Sequence, residues 1–299
     1  MDNLFIKFLN KLKQQKKTNF QLSLQKKRFL NRTKIINFAY DLQTGSYIRD
    51  WEKKRQRYNK FINEIINAIY INFGDIKFLL DAGCGELTNT ILMKNIMKKT
   101  QIYGFDFSLN RLLAGKKFFK LNNSDFKFVC ATLIDIPFRD KSFDICVTMH
   151  AIEPNKGFEE KIVDELSRVS TKGMVLVEPD FKNANLSQKK RMKKFGYIQN
   201  LESVLKRKKF FFKKIPMKYF LSEKNKSSIF IVFKKKKNKS KPTLVDPFLK
   251  KKISSIKKDY LYSKNTNTLY PVIDNIPVIK KDCAILLPVN KIKKNVLLK

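Results

Sequence analysis

Residues 78–86 read Phe-Leu-Leu-Asp-Ala-Gly-Cys-Gly-Glu, a hydrophobic strand that ends in an aspartate and runs into a glycine loop. Gly83 and Gly85 have no Cβ and tolerate positive φ, so the loop backbone can approach a ligand closely. A second acid, Asp106, follows the next hydrophobic segment. An acid at the end of the second strand is placed to bind the two ribose hydroxyls of a nucleoside, whereas Asp81, at the end of the first strand, suits an ammonium group.

Around this loop, strand-like and helix-like patterns alternate from about Ile76 to Val177. Such alternation predicts a parallel sheet with crossover helices. Two later hydrophobic segments suit a terminal antiparallel pair, which makes a mostly parallel sheet of seven strands. The predicted strands are Phe78–Leu80, Ile102–Phe105, Phe126–Cys130, Asp144–Thr148, Met174–Val177, Phe210–Ile215 and Ser228–Phe233, and the predicted helices start near Thr88, Leu109 and Phe158.

The chain divides into three predicted parts. Residues 1–74 are expected to form a basic, mainly helical N-terminal cap that is interrupted by the tyrosine-containing stretch 40–47. Residues 75–236 hold the main sheet. After a lysine-rich linker, residues 243–290 are expected to form a small β module, since Asp274 and Asn275 lie between two β-branched runs and predict a hairpin turn.

Four segments in this order resemble the class I S-adenosylmethionine-dependent methyltransferases, and more narrowly their type 11 group. The matching segments are Leu80–Gly85, Gly104–Ser108, Ile136–Asp144 and Glu165–Val169. The resemblance implies an α/β Rossmann-like fold, S-adenosyl-L-methionine as the cofactor, and methyl transfer to an oxygen or nitrogen nucleophile. It also implies a role for each matching residue: Asp81, Gly83 and Gly85 hold the methionine portion, Asp106 holds the ribose, and Phe107, Thr132 and Leu133 lie beside the adenine.

The chain departs from the family pattern at two places. The third loop glycine is absent, so Leu87 or Thr88 occupies its position. Thr132 replaces an acid that often contacts the adenine amino group, and a hydroxyl offers a less charge-assisted hydrogen bond.

Two other interpretations of the acids remain open. Asp81 and Asp106 could simply cap the helices that follow them. A nicotinamide-dependent oxidoreductase shares the fold class, but its pyrophosphate fingerprint is G-x-G-x-x-G, and this loop continues Glu86-Leu87-Thr88 with an acid that would repel phosphate.

The predicted fourth strand leads into His150 and Glu153, which lie beyond its carboxyl end. Either side chain could accept a proton from the nucleophile as the methyl group is transferred. Alternatively, both are structural, and the enzyme works by positioning the donor and the nucleophile. In a related subgroup of type 11 enzymes, the tyrosine-rich stretch that corresponds to residues 40–47 looks like a lid over the donor; the simpler interpretation is a turn between two helices.

The formal charge of +38 admits a nucleic-acid partner, so an RNA-binding protein or RNA methyltransferase is the alternative function. Lysine-rich blocks at Lys189–Lys194 and Lys206–Lys214 support it, although an A/T-rich genome would also produce a lysine-rich chain. The phenylalanine triplet 210–212 in the second block could stack bases, but it falls in a predicted strand and is expected to belong to the core. The acceptor stays unidentified, with a small molecule, glycan or lipid precursor favoured, and the oligomeric state is open. No apolar run reaches the length of a membrane helix and no secretion signal is evident, so a cytoplasmic protein is expected.

We expect no metal site, since the chain has four scattered cysteines and one histidine. The C-terminal module nevertheless resembles a zinc-ribbon-derived tail that lacks its cysteines. Because a small unit without metal buries little apolar surface by itself, its face of Val272, Ile276 and Val278 is expected to pack on the main domain.

Overall fold

The computed structural model describes residues 38–121, 127–222, 226–235 and 240–288. Its main sheet has seven strands in the order β3-β2-β1-β4-β5-β7-β6. The first five strands run parallel, and β7 lies antiparallel between β5 and β6, as the sequence predicted. The strands are β1 (Phe78–Ala82), β2 (Gln101–Asp106), β3 (Lys127–Cys130), β4 (Phe143–Met149), β5 (Ser170–Pro179), β6 (Phe211–Pro216) and β7 (Ser227–Phe233).

Seven helices occur among the described residues, together with a helical turn over residues 38–42. They are α1 (Ser46–Lys53), α2 (Arg55–Phe73), α3 (Thr88–Ile96), α4 (Leu109–Phe118), α5 (Glu159–Val169), α6 (Leu186–Phe195) and α7 (Leu201–Arg207). None of the described helices is long and apolar enough to cross a membrane.

Helices cover both faces of the sheet because the central strands are apolar on both sides. On one face, Leu79 packs in a cluster with Phe61 of α2 and Met93 of α3. On the other face, Leu80 packs in a cluster with Ile162 of α5. Every residue of β1 is buried, which explains why central parallel strands read as continuous hydrophobic runs.

The predicted interruption at residues 40–47 is shorter than expected. The chain is helical up to Leu42, turns over residues 43–45, and enters α1 at Ser46. Gly45 has a φ of 82°, a left-handed conformation that glycine adopts without strain. Residues 1–37 of the predicted N-terminal cap lie outside the described residues.

The C-terminal sheet consists of β8 (Ser255–Ile256), β9 (Tyr260–Ser263), β10 (Thr268–Ile273), β11 (Ile276–Pro277) and β12 (Ile285–Leu286). Asp274 and Asn275 form the predicted turn between β10 and β11, with φ values of 47° and 60°. Positive φ at both positions is typical of the type I′ hairpin turn.

This C-terminal sheet packs on the main sheet, as predicted. Ile276 and Val278 are buried in a cluster with Phe128 and Cys130 of β3, and Val272 is partly buried against the main core. Cys130 and Val278 form a parallel bridge, and the backbone N–H of Ile279 donates to the carbonyl of Cys130 at 2.9 Å. The segment after β11 therefore covers the outer edge of β3.

The expectation that Phe210, Phe211 and Phe212 all belong to the core is wrong for Phe211. Phe210 and Phe212 pack against the main core, whereas Phe211 is 70% exposed. Alternate residues of a strand point to opposite faces, and β6 is the edge strand of the sheet.

Candidate functional site

The loop after β1 depends on left-handed backbone at three positions. Gly83, Gly85 and Leu87 have φ values of 87°, 55° and 64°. A Cβ at Gly83 would lie 2.4 Å from the Cβ of Ala151, so any larger residue would displace the neighbouring loop. Leu87 occupies the position of the missing third glycine, and it adopts the same left-handed conformation with its side chain fully buried.

Asp106 holds this loop in place. One carboxylate oxygen accepts from the backbone N–H of Gly85 and the other from the backbone N–H of Ser108, both at 2.9 Å. Burial raises the pKa of Asp106 above its usual value, while Arg111 and these two hydrogen bonds act in the opposite direction. Each oxygen keeps a lone pair for a ligand.

Asp81 is fully buried at the end of β1. Its Oδ2 accepts from the hydroxyl of Thr90 at 2.6 Å, and within the described part of the chain its Oδ1 has no hydrogen-bond partner. Burial raises the pKa of Asp81 to about 7. A buried carboxylate oxygen without a donor is an unfavourable arrangement that a cationic ligand would relieve.

His150 and Glu153 lie on the loop after β4, and the side chain of Glu178 stabilises this loop. The two oxygens of the buried Glu178 carboxylate accept from the backbone N–H groups of Ala151, Ile152 and Glu153 at 3.0–3.2 Å. Burial raises the pKa of Glu178 to about 7. This support fixes the loop at the carboxyl end of β4.

Both ring nitrogens of His150 have a protein partner. Nδ1 lies 2.8 Å from Oε2 of Glu153, and Nε2 lies 3.0 Å from the hydroxyl of Ser227. Burial alone would lower the pKa of His150, but the charge of Glu153, its hydrogen bond and the charge of Glu178 together raise the pKa above the usual 6.5. His150 also has a φ of 59°, a strained conformation of the kind that clusters at functional sites.

These elements surround a cavity of about 260 Å³. Eight of the nine residues named as candidates from the sequence line it, namely Gly83, Gly85, Asp106, Phe107, Thr132, Leu133, His150 and Glu153. Asp81 is the exception, because it lies behind the cavity wall at the base of the glycine loop. The structure thus brings together the glycine loop, the acid of β2 and the loop after β4.

Phe107, Thr132 and Leu133 form the wall of the cavity nearest to the C-terminal sheet. The amine of Lys280 lies 5.1 Å from the centre of the Phe107 ring, a cation–π distance. Asp135, which follows this wall, forms an ion pair with Lys281 at 2.8 Å. Lys280 and Lys281 lie between β11 and β12, so this connection supports the wall.

The N-terminal segment closes the opposite side through Glu86, which the sequence analysis had not assigned to the site. The Glu86 carboxylate accepts from the backbone N–H groups of Gly45, Tyr47 and Ile48 at 2.9–3.0 Å. It thereby caps the first turn of α1, where the helix dipole favours a negative charge. Tyr47 lines the cavity as a result.

Arg111 of α4 is a second wall residue that the sequence analysis missed. Its guanidinium lies between the rings of Tyr40 and Tyr47, at 4.7 Å and 4.2 Å from their centres. Its Nε lies 3.7 Å from the Glu86 carboxylate. The stretch 40–47, predicted to be either a lid or a turn, thus contacts the cavity through both tyrosines.

Comparison with known proteins gives one family and one fold. Residues 80–177 match the type 11 family that is described as a methyltransferase domain. No curated protein sequence matches the chain.

Many solved structures share the fold at low sequence identity. The Haloferax volcanii complex between the Trm112 methyltransferase activator and a methyltransferase is 10% identical, covers 66% of this chain and 97% of that chain, and has a TM-score of 0.51. Magnesium protoporphyrin IX methyltransferase from Synechocystis, with bound S-adenosylhomocysteine, is 11% identical. The match covers 68% of this chain and 100% of that chain, with a TM-score of 0.49. An S-adenosylmethionine-dependent methyltransferase from Aquifex aeolicus is 15% identical. The match covers 56% of this chain and 89% of that chain, with a TM-score of 0.43. At these identities the likeness shows the fold alone.

Proposed function

We propose that the chain is a class I S-adenosylmethionine-dependent methyltransferase that transfers the methyl group to an oxygen or nitrogen nucleophile of a small acceptor. The observation that carries this proposal is the contact between Gly85 and Asp106 at the wall of the cavity. It joins a glycine loop, which a ligand can approach closely, to a carboxylate at the end of the second strand.

The donor is proposed to lie along this wall. Asp106 binds the two ribose hydroxyls, and Phe107, Thr132 and Leu133 border the adenine. Gly83 and Gly85 border the methionine portion, and the unpartnered oxygen of Asp81 attracts its ammonium group. When bound, the donor supplies an electrophilic methyl group.

The acceptor is proposed to enter beside Glu153. Both ring nitrogens of His150 are engaged by Glu153 and Ser227, so His150 is better placed to orient Glu153 than to take a proton itself. Glu153 then receives the proton of the attacking hydroxyl or amine, which is the ordinary role of a general base. The support is geometric: Glu153 lies on the cavity wall, and Glu178 holds its backbone N–H.

The alternative acceptor is RNA, which would need exposed aromatic side chains beside cations. Phe211 is exposed on an edge strand beside Lys213, an arrangement that could stack a base beside a cation. Against it, Lys214 is already paired with Glu202 at 2.8 Å and Asp180 at 3.3 Å.

The deciding experiment is turnover with S-adenosylmethionine labelled in the methyl group, offered with cell extract separated into small molecules, lipids, glycans, RNA and protein. We expect label to move into a small-molecule, lipid-precursor or glycan-precursor fraction. A Glu153→Gln variant processed in parallel controls for non-enzymatic methylation. Label in RNA alone, with binding that weakens steeply as salt is added, would replace the proposal by the alternative.

A further inference from the structure

Arg111 is the third residue of α4, is 3% exposed, and lies on the wall of the cavity. Its guanidinium is close to the glycine loop, since a Cβ at Gly85 would lie 3.7 Å from its Nη1. The two tyrosine rings of the N-terminal segment flank it. Arg111 therefore lies where the loop after β1, the start of α4 and the N-terminal segment meet.

Two of its nitrogens, Nε and Nη2, are buried and have no hydrogen-bond partner among the residues that the structure describes. The nearest carboxylate, Glu86, is an ion-pair partner at 3.7 Å, beyond hydrogen-bond distance. The oxygens of Glu86 already accept from three backbone N–H groups of the N-terminal segment. Burying a guanidinium N–H without an acceptor costs free energy. A ligand that supplies an acceptor would remove this cost, and its binding free energy would become more favourable.

Arg111 has unpaired donors and a positive charge at the cavity. Of the described residues that line the cavity, Arg111 and His150 are the ones whose side chains can carry a positive charge. Both nitrogens of His150 are occupied by Glu153 and Ser227. An anionic ligand group would accordingly be drawn to Arg111.

The same cavity presents an unpartnered acceptor. The side-chain oxygen of Asn89, at the start of α3, is buried without a hydrogen bond and lines the cavity. Oδ1 of Asp81 is unpartnered at the base of the loop. The zwitterionic end of an α-amino acid needs hydrogen-bond acceptors for its ammonium group and donors for its carboxylate. The cavity offers both kinds of group.

We propose that Arg111 binds the carboxylate of the amino-acid end of S-adenosylmethionine, with Asn89 accepting from its ammonium group. This inference rests on the proposed donor position and adds the residue that recognises its carboxylate. The planar guanidinium can donate to both carboxylate oxygens, a pairing that a lysine cannot reproduce. The bound carboxylate also fastens the N-terminal segment, because Tyr40 and Tyr47 stack on the same side chain.

The test compares two ligands by calorimetry: S-adenosylmethionine and decarboxylated S-adenosylmethionine, which keeps the ammonium and sulfonium groups. The unmodified protein should bind the complete donor about 10- to 100-fold more tightly, the range for charged hydrogen bonds. In Arg111→Met the ratio of the two dissociation constants should fall to about one, because decarboxylated donor loses little. Arg111→Lys should retain part of the preference.

Asn89→Ala is the matched control from the same cavity. It should weaken both ligands by a similar factor and leave their ratio unchanged, because both carry the ammonium group. The ratio of the two dissociation constants is measured within each variant. A general loss of packing would weaken both ligands alike, so it would not change this ratio.

Three outcomes would overturn the inference. They are an unmodified protein that binds both ligands equally, an Arg111→Met variant that keeps the preference, and an Arg111→Met variant that raises only the Michaelis constant of the acceptor. The third would assign Arg111 to a carboxylate of the acceptor. Failure of the unmodified protein to bind S-adenosylmethionine at all would instead contradict the proposed function.

Discussion

The amine of Lys280 lies 5.1 Å from the centre of the Phe107 ring, so the connection between β11 and β12 contacts the wall beside which we place the adenine. Lys280 is 8% exposed, and cation–π contacts gain strength when they are desolvated. Lys280→Ala should therefore weaken S-adenosylmethionine binding by about 0.5–2 kcal/mol. Calorimetry measures this, with the exposed Lys264→Ala as the control from the same C-terminal module. Equal affinities of the two variants would contradict a role for this contact.

Asp106→Ala should weaken S-adenosylmethionine binding by about 1.5–3 kcal/mol, the range for losing a charged hydrogen-bond partner. The variant also frees the backbone N–H groups of Gly85 and Ser108, which loosens the loop. Calorimetry is again the measurement. Asp259→Ala, an exposed aspartate of the C-terminal sheet, should bind normally. Unchanged affinity in Asp106→Ala would refute the proposed ribose contact.

The pKa of His150 can be measured without ambiguity, because His150 is the only histidine of the chain. NMR titration should give a pKa above 6.5 in the unmodified protein and a lower one in Glu153→Gln, where the carboxylate that raises it is gone. A raised pKa means that the folded state binds the proton more tightly than the unfolded state. This contribution to stability is present below pH 6.5 and is lost as the pH rises through the folded-state pKa.

Glu153→Gln should lower turnover by about 10²- to 10⁴-fold while donor binding persists, if Glu153 is the general base. His150→Gln should lower turnover less, because it removes the group that orients Glu153 and leaves the carboxylate in place. Single-turnover kinetics with the labelled donor separate the methyl-transfer step from binding. Near-normal turnover in both variants would leave positioning as the role of this loop.

The purified protein should contain no stoichiometric zinc. The C-terminal sheet is held by packing and ion pairs, such as Lys250 with Glu165 at 2.9 Å and Lys281 with Asp135 at 2.8 Å. Metal analysis by mass spectrometry, with thermal melting in the presence and absence of a chelator, checks this. One tightly bound zinc per chain, or a melting temperature that falls on chelation, would overturn it.

The order and approximate bounds of the strands in the main sheet could be predicted because its buried strands are continuous hydrophobic runs with an acid at the end of β1 and β2. The hairpin at Asp274 and Asn275 could be predicted for a similar reason, since few residues adopt positive φ easily. In each case the signal is local in the chain.

The roles of Glu86 and Glu178 could not be predicted. Both carboxylates bind backbone N–H groups, and the residues that supply those groups leave no side-chain pattern to recognise. The partners are also far away in sequence, with Gly45 lying 41 residues before Glu86. Arg111 was missed because one more cation carries little information in a chain with 64 lysines and arginines. Phe211 was misassigned because strand alternation was not applied to the phenylalanine triplet.

The edge contact between Cys130 and the segment after β11 also has a consequence for protein synthesis. Translation delivers β3 long before residues 276–279, so a growing chain can assemble the main sheet while the outer edge of β3 still lacks its cover. Unpaired strand edges are templates for association with other chains. On a polysome, neighbouring ribosomes carry copies of the same unfinished chain. The uncovered edge of β3 would then be a place at which two nascent chains form intermolecular strand pairs. Chaperones that shield extended backbone would then raise the yield of active enzyme.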